Sequence, residues 1–132
     1  MKLMDTYLEL RHKYKDYVII IKNGSFYNVI GSDCYILEEM FNYKKVKIAN
    51  SIKVGFPLRS LNKVINKLKY FKINYLIYNK EIVRKKYKNN NYKNFIKSLS
   101  IDNRVNVITF KLNELKENSK TINILENIES NV

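Results

Sequence analysis

The pattern of apolar and polar residues predicts alternating helices and strands over the first part of the chain. In residues 3–14 the apolar positions recur near helical spacing, which predicts a first helix. Residues 17–22 and 25–30 are compact stretches rich in Val, Ile and aromatic residues, and Asn23-Gly24 between them is a strong hairpin signal. The chain is therefore predicted to begin with a helix and a β-hairpin.

The segment after this hairpin carries a second turn signal and a further strand pattern. Residues 31–33 read Gly-Ser-Asp and are predicted to supply the N-cap of a short helix at 34–41. Apolar residues at even positions predict one extended strand over 45–54, because side chains alternate along a strand. The Gly-Phe-Pro sequence at 55–57 is expected to break that strand.

The remaining elements are predicted from apolar stripes of helical or strand period. Residues 58–71 form an amphipathic helical stripe, and 73–78 is apolar enough for a buried strand. Beyond these, a helix is predicted at 81–99, a strand at 104–110 and a helix at 112–128. Helices interleaved with strands in this order predict an α/β fold.

Size and composition indicate one folded domain without disulfides or metals. The chain has 132 residues, of which 45% are hydrophobic, which is enough to bury a core. It has no long apolar run and no signal-peptide pattern, so a cytoplasmic protein without membrane association is expected. One cysteine, Cys34, and one histidine, His12, cannot supply a disulfide or a clustered zinc site, and no cofactor is expected.

The charge distribution suggests a polyanionic partner. The formal net charge is +13, and residues 42–97 contain sixteen basic residues against one acidic residue, Glu81. A surface of that sign attracts DNA, RNA or anionic membranes. The competing interpretation is that abundant Lys, Asn, Ile and Tyr reflect an AT-rich genome, so basicity by itself does not establish nucleic-acid binding.

One short string in the predicted hairpin carries a family resemblance. Residues 22–28 read Lys-Asn-Gly-Ser-Phe-Tyr-Asn. This string resembles the Gly-x-Phe-Tyr-Glu signature of the N-terminal mismatch-recognition domain, domain I, of the MutS family of DNA repair proteins. In that family the signature follows an apolar strand and precedes a helix, which is the order of elements predicted for this chain.

A second block extends the resemblance to the fold. Residues 54–58, Val-Gly-Phe-Pro-Leu, and 75–80, Tyr-Leu-Ile-Tyr-Asn-Lys, are similar to the family's Ala-Gly-Ile-Pro-Tyr block and to its Val-Ala-Ile-Cys-Glu-Gln strand. The likeness covers about residues 6–80. It implies a MutS domain I-like mixed β-sheet flanked by helices over residues 1–110, followed by a C-terminal helix and tail at 111–132.

The resemblance implies that the hairpin contacts DNA. Alternation along the strand predicts Phe26 and Asn28 on one face and Tyr27 in the core. An exposed aromatic side chain can insert between base steps from the minor groove, and insertion costs least at a mismatch, where stacking is already weak. Gly24 permits the tight turn. Asn28 stands where the family has Glu, so weaker mismatch discrimination and tighter general binding are expected.

Basic residues are predicted to extend this surface. Arg59 and Lys63 lie off the apolar stripe of the predicted 58–71 helix and could bind phosphates, although a solvated helix face is the commoner fate of a single lysine. The residues predicted to bind double-stranded DNA are Phe26, Asn28, Ser25, Lys22, Gly24, Arg59 and Lys63.

The same sequence argues against catalysis and leaves two other functions open. No Gly-x-x-x-x-Gly-Lys-Ser/Thr loop occurs, so no nucleotide and no ATPase are expected, and the sparse carboxylates predict no enzyme. A first alternative is a protein interaction module of phage or mobile-element origin that keeps the fold but not mismatch recognition, with an apolar patch around Phe26, Tyr92 and Phe95. The second is binding to structured RNA.

Overall fold

Six strands form one mixed β-sheet at the centre of the computed structural model, which describes residues 2–99, 103–109 and 111–116. The strands are β1 (Val18–Asn23), β2 (Phe26–Ile30), β3 (Val46–Ile48), β4 (Ser51–Pro57), β5 (Tyr75–Asn79) and β6 (Glu81–Lys85). Their order across the sheet is β3-β4-β2-β1-β5-β6. The β1–β5 pair is parallel and all other neighbours are antiparallel.

Helices pack on both faces of this sheet. They are α1 (Leu3–Lys13), α2 (Asp33–Phe41), α3 (Leu61–Tyr70) and α4 (Asn91–Lys97), with a short 3-10 turn at Leu58–Ser60. Residues 103–109 and 111–116 are also helical and are called the C-terminal helical segment below. One face of the sheet packs against α1, and the other packs against α2, α3 and α4. This arrangement confirms the predicted α/β class.

The central strand β1 is buried on both faces, which explains its unbroken apolar run. Val18 and Ile20 belong to the core cluster on the α3 side, whereas Ile19 and Ile21 belong to the cluster on the α1 side. A strand in the middle of a sheet covered by helices on both faces needs apolar residues at every position. The first helix, the hairpin, the amphipathic helix and the buried strand that follows it are all found where the pattern predicts them.

The prediction of a single strand over residues 45–54 is wrong, because this stretch is the hairpin of β3 and β4. Ile48 pairs with Ser51 across a two-residue loop, so even positions of β3 lie on the same face as odd positions of β4. The apolar residues occupy even positions on both sides of this loop, so the sequence pattern does not show the change of strand. Residues 55–57 do not end the strand, since β4 pairs with β2 as far as Pro57.

Two predictions beyond residue 80 are also wrong. The stretch 81–99 is not one helix but the edge strand β6 followed by α4. A tight turn at Lys80, with φ of 62°, returns the chain alongside β5. Residues 103–109 are helical although alternation predicts a strand at 104–110, and residue 110 lies outside the described residues. Of the apolar residues Val105, Val107 and Ile108, only Val107 is buried. Of the helix predicted at 112–128, residues 112–116 are helical and the rest lies outside the described residues.

The predicted N-cap at residues 31–33 does not form. Ser32 occupies the N-cap position of α2 in a helical backbone conformation, and its side chain makes no capping hydrogen bond. Asp33 accepts hydrogen bonds from the backbone N–H of Ile19 at 2.9 Å and from the hydroxyl of Tyr92 at 2.6 Å. Because this carboxylate is engaged in tertiary contacts, it does not cap its own helix.

Candidate nucleic-acid interface

The loop between β1 and β2 forms an exposed tip at one end of the sheet. Asn23 pairs with Phe26, so Gly24 and Ser25 are the two loop residues. Gly24 has φ of +64°, and no heavy atom lies within 4 Å of a Cβ added there. A positive φ at the first loop residue is typical of a type II′ hairpin. Glycine is therefore favoured by the backbone conformation of the tip and not by lack of space.

Phe26 stands directly beside this tip, and 51% of it is exposed. Its neighbour Tyr27 points to the other face of the sheet, where it stacks on Phe56 with ring centroids 5.9 Å apart. Phe26 and Asn28 share the face that carries α1, as strand alternation predicts. The structure thus leaves a large aromatic side chain uncovered at the position that matches the family signature.

Asn28 lies behind Phe26 in the middle of the sheet. It pairs with Ile21 on one side and Gly55 on the other, and only 4% of it is exposed. Its Oδ1 lies 3.2 Å from the position of a Cβ added at Gly55, so the absence of a side chain there makes room for the amide. The Asn28 side chain has no hydrogen bond to any residue that the structure describes. The amide is therefore close to Phe26 and retains its donors and its acceptor.

Basic side chains surround the same end of the sheet. Arg59 is exposed and follows Pro57, whose Cα pairs with that of Phe26. Lys80 is exposed in the turn after β5, and because β5 is parallel to β1, this turn lies at the same end as the hairpin loop. Two strand spacings, about 10 Å, separate β5 from β2. Lys22 lies one residue before the end of β1, opposite Tyr27, and so on the α3 side of the sheet.

Lys63 is not part of this group. It lies on α3, on the opposite face from Phe26, and its Nζ is 5.3 Å from the ring centroid of Phe41 and 5.8 Å from that of Tyr43. The structure therefore brings Gly24, Ser25, Phe26 and Asn28 together and places Lys22 and Arg59 at the same end. Lys63 lies on the opposite face of the sheet from Phe26.

Three residues that the sequence interpretation missed belong to this end or face. Lys53 and Pro57 share the sheet face of Phe26 and Asn28, and Lys80 lies at the same end. The parity of Lys53 and Pro57 in a correctly bounded β4 would have identified them. Lys80 could have been found from the rule that parallel strands end at the same edge of a sheet.

The apolar patch predicted around Phe26, Tyr92 and Phe95 does not exist. Tyr92 is a buried residue of α4. Burial raises its pKa, and its hydroxyl donates a hydrogen bond to Asp33. Phe95 packs against the same core cluster on the α3 side of the sheet. Neither residue shares a surface with Phe26, because the two lie on opposite faces.

A buried polar network lies at the other end of the sheet. The Arg11 guanidinium forms an ion pair with Asp33 and donates to the carbonyl oxygen of Tyr17 at 2.8 Å. The Tyr7 hydroxyl donates to the carboxylate of Glu114, and burial raises the pKa of that carboxyl. These contacts tie α1, β1, α2 and the C-terminal helical segment together. Ile19, which contacts Asp33, is four residues along β1 from Asn23, or about 13 Å.

The remaining chemistry-bearing residues are held in structural positions. Cys34 is fully buried, and burial raises the pKa of its thiol, whereas His12 is exposed on α1. No cluster of three His, Cys, Asp or Glu side chains that could hold a metal ion occurs within residues 2–99, 103–109 and 111–116. Within the same ranges, every helix is too short or too polar to cross a membrane.

Comparison with known proteins identifies a family that matches this chain. The sequence model described as MutS domain I matches residues 1–94. Similar proteins include the DNA mismatch repair proteins MutS of Thermotoga petrophila, 29% identical over 66 residues, of Fervidobacterium nodosum, 27% identical over 66 residues, and of Borrelia garinii subsp. bavariensis, 32% identical over 69 residues.

The likeness to these proteins is confined to a small part of their length. The matched stretches cover 50% to 52% of this chain but only 8% of each relative. The family match covers 94 of the 132 residues, including the hairpin, Phe26 and the whole sheet. On this match and on its mixed sheet, the chain belongs to the MutS domain I family.

Proposed function

We propose that this protein is a DNA-binding module that recognises mismatched or distorted duplex DNA by inserting Phe26 into the base stack. The observation that carries the proposal is the half-exposed Phe26 at the tip of the sheet, at the position of the family's aromatic residue. A large aromatic side chain that the fold leaves half-exposed beside a tight turn is available to stack on a base.

Insertion selects distorted DNA through the cost of unstacking. A side chain that wedges between base steps must separate them, and the separation costs least where a mismatch or an unpaired base has already weakened stacking. The narrow two-residue loop at Gly24 and Ser25 allows the backbone to approach the groove closely. Selectivity of this kind depends on the deformability of the site and not on its sequence.

Asn28 is the residue proposed to contact the displaced base. Its amide has no hydrogen bond within the described part of the chain, so contact with a base edge would not cost an existing bond. Glu at this position would add a negative charge that the phosphate backbone repels. With Asn28, binding to any duplex is proposed to be tighter and the preference for a mismatch smaller than with Glu.

The basic residues at the Phe26 end are proposed to supply affinity without sequence preference. Arg59 and Lys80 lie on either side of the hairpin tip and are both exposed. Lys22 is half-buried beside the tip, and the half-buried Lys53 lies further along the face that carries Phe26. Contacts from such residues to phosphates release counterions, which makes binding weaken steeply as salt rises. Binding by this module is proposed to need no nucleotide and to involve no catalysis.

The test is fluorescence anisotropy with a matched duplex and with otherwise identical duplexes carrying one mismatch or one unpaired base, at salt concentrations from about 50 to about 200 mM. The mismatch preference is expected in the native chain and lost in Phe26→Ala, because stacking of a base on an aromatic ring contributes about 1 to 3 kcal/mol. Tyr70→Ala is the matched control, since Tyr70 is 78% exposed on α3, away from the hairpin tip.

Equal affinity of the native chain for all duplexes would refute recognition by insertion while leaving general DNA binding in place. Equal effects of Phe26→Ala and Tyr70→Ala would assign no special role to Phe26. If no duplex binds even at the lowest salt concentration, the DNA-binding proposal fails, and a protein-interaction role of phage or mobile-element origin becomes the leading hypothesis.

A further inference from the structure

The C-terminal helical segment packs on the rest of the protein through a largely polar side. Val107 is buried against Tyr35 and Leu99, the Lys111 Nζ lies 5.9 Å from the Tyr92 ring centroid, and Glu114 accepts the Tyr7 hydroxyl. These three residues belong to the described helical stretches 103–109 and 111–116. Only one of these three inward-facing residues is apolar.

The apolar residues of the segment face outward instead. Val105, Ile108, Leu112 and Leu115 are 56%, 59%, 61% and 60% exposed. These four residues are called the outer stripe. Within residues 103–109, at 3.6 residues per turn, Val105 and Ile108 lie about 160° and 100° from Val107 around the helix axis. A helix normally directs its apolar stripe toward the core. An apolar stripe that faces solvent is instead typical of a surface that binds a partner.

The spacing of the outer stripe indicates a helical partner. Its residues are separated by three, four and three positions, which is the a/d repeat by which two α-helices pack side by side. Val105 and Ile108 belong to the helical stretch 103–109, and Leu112 and Leu115 belong to the helical stretch 111–116. Exposed apolar residues at this regular spacing match the seam of a second amphipathic helix.

The charges beside the outer stripe select the kind of helix. Arg104 directly precedes Val105 and Lys116 directly follows Leu115, so one exposed basic residue lies beside each end of the outer stripe. The only acidic residue in the described part of the segment, Glu114, points inward to Tyr7. Residues flanking an apolar seam set partner choice, and two basic flanks favour acidic flanks on the facing helix. They disfavour a second copy, whose flanks and net charge of +13 would repel.

We propose that the outer stripe is a docking surface for an amphipathic α-helix of another protein, with Leu, Ile or Val along its seam and Asp or Glu on both sides of it. This surface is separate from Phe26 and from the end of the sheet proposed to bind DNA. It gives the module a means to be attached to a partner while the hairpin tip remains free.

The experiment measures binding of the full chain to a labelled peptide of about three heptads, with Leu at both seam positions and Glu at both flanking positions of each heptad, by anisotropy at about 100 mM salt. A peptide with Lys in place of each Glu is the charge control. The acidic peptide is expected to bind at least about tenfold more tightly than the basic one. Leu112→Glu is expected to weaken binding at least about tenfold, because it places a charge in the buried seam.

Asn113→Glu is the matched variant, because it adds the same charge on the same segment outside the outer stripe. It is expected to change the affinity by less than about twofold. Leu112 is exposed, so both variants should keep the native circular dichroism spectrum and unfolding midpoint. Phe26→Ala should bind the acidic peptide like the native chain, which separates this proposal from DNA binding.

Four results would overturn the proposal. The first is no binding of the acidic peptide, and the second is equal binding of the acidic and basic peptides. The third is a molar mass in light scattering twice that of one chain and halved by Leu112→Glu, which would make a second copy the occupant. The fourth is binding only after residues 117–132 are removed, which would mean that this part of the chain itself covers the stripe.

Discussion

At the scale of single residues, Asn28 lies directly behind Phe26 and is the residue proposed to contact a displaced base. Asn28 is nearly buried, its amide is unbonded among the described residues, and Gly55 leaves room for it on the neighbouring strand. A longer or charged side chain at this position changes what lies behind Phe26 without changing Phe26 itself. The effects of side-chain length and of charge at this position can therefore be tested separately.

Asn28→Glu is expected to lower affinity for a matched duplex and to raise the ratio of mismatched to matched binding. The reason is that a carboxylate repels phosphates wherever the base contact is not made. Anisotropy titrations with both duplexes measure the ratio. Asn28→Gln adds the same length without charge, so it should leave the ratio near the native value. A similar increase in both variants would show that side-chain length and not charge is responsible.

At the scale of elements, the end of the sheet opposite Phe26 is held by charge and not only by apolar packing. Asp33 joins α1 through Arg11, β1 through the Ile19 N–H and α4 through the Tyr92 hydroxyl. Both members of the ion pair are buried. Removal of one partner of such a pair leaves the other charge buried without compensation, which costs more than the pair contributes in net stability.

Asp33→Asn is expected to lower the free energy of unfolding by about 3 to 5 kcal/mol, because the amide leaves the Arg11 charge uncompensated and brings a donor among other donors. Urea denaturation followed by circular dichroism measures the change. Asp16→Asn is the control, since Asp16 pairs with Lys93 at 3.5 Å on the surface. Its effect should stay within about 1 kcal/mol. A destabilisation by Asp33→Asn no larger than that of this control would mean that the network is not stabilising.

At the scale of the whole molecule, net charge and its placement have different consequences. The chain carries +13 overall, but its basic residues differ in where they lie relative to Phe26. Arg59 and Lys80 lie at the hairpin end, whereas Lys63 and Lys67 lie along α3 over aromatic rings. If duplex DNA lies against Phe26 at the hairpin end, Arg59 and Lys80 contact phosphates. Lys63 and Lys67 do not, because α3 lies on the opposite face of the sheet.

The double substitution Arg59→Ala with Lys80→Ala is expected to weaken binding to a matched duplex. It should also reduce the slope of log affinity against log salt by about 2, because each substitution removes one side chain that neutralises a phosphate. Lys63→Ala with Lys67→Ala removes the same charge from α3 and should leave the slope within about half a unit of the native value. Equal reductions would mean that net charge governs binding, without regard to the hairpin end.

Local features of the fold and of the candidate site could be predicted from the sequence because they depend on neighbours along the chain. The Asn23-Gly24 signal and the strand parity are enough to place Phe26 and Asn28 on one face and Tyr27 in the core. The burial of one side of α3 and of the start of β5 could likewise be predicted from the apolar pattern of each segment. The family signature lies within these same elements, so the resemblance could be recognised without any knowledge of the sheet.

Features that depend on pairing between distant segments could not be predicted in this way. The alternation of residues 45–54 continues through a turn, and β6 becomes a strand only because β5 offers it an open edge. The same is true of Asp33, whose sequence context is that of a helix cap until Arg11 and Tyr92 are brought to it. In each case the preference of the local sequence is weaker than the interactions that tertiary pairing provides.

By itself, then, the sequence determined the hairpin, the orientation of its aromatic residues, the amphipathic helix and the family, because each of these is a property of short stretches of chain. Only the tertiary structure decided that Lys80 lies at the Phe26 end, that Lys63 lies on the opposite face from Phe26, that the polar network is buried, and that the outer stripe faces solvent. Those facts depend on which strands are neighbours and which helix covers which face, and hydrophobic periodicity carries no information about either.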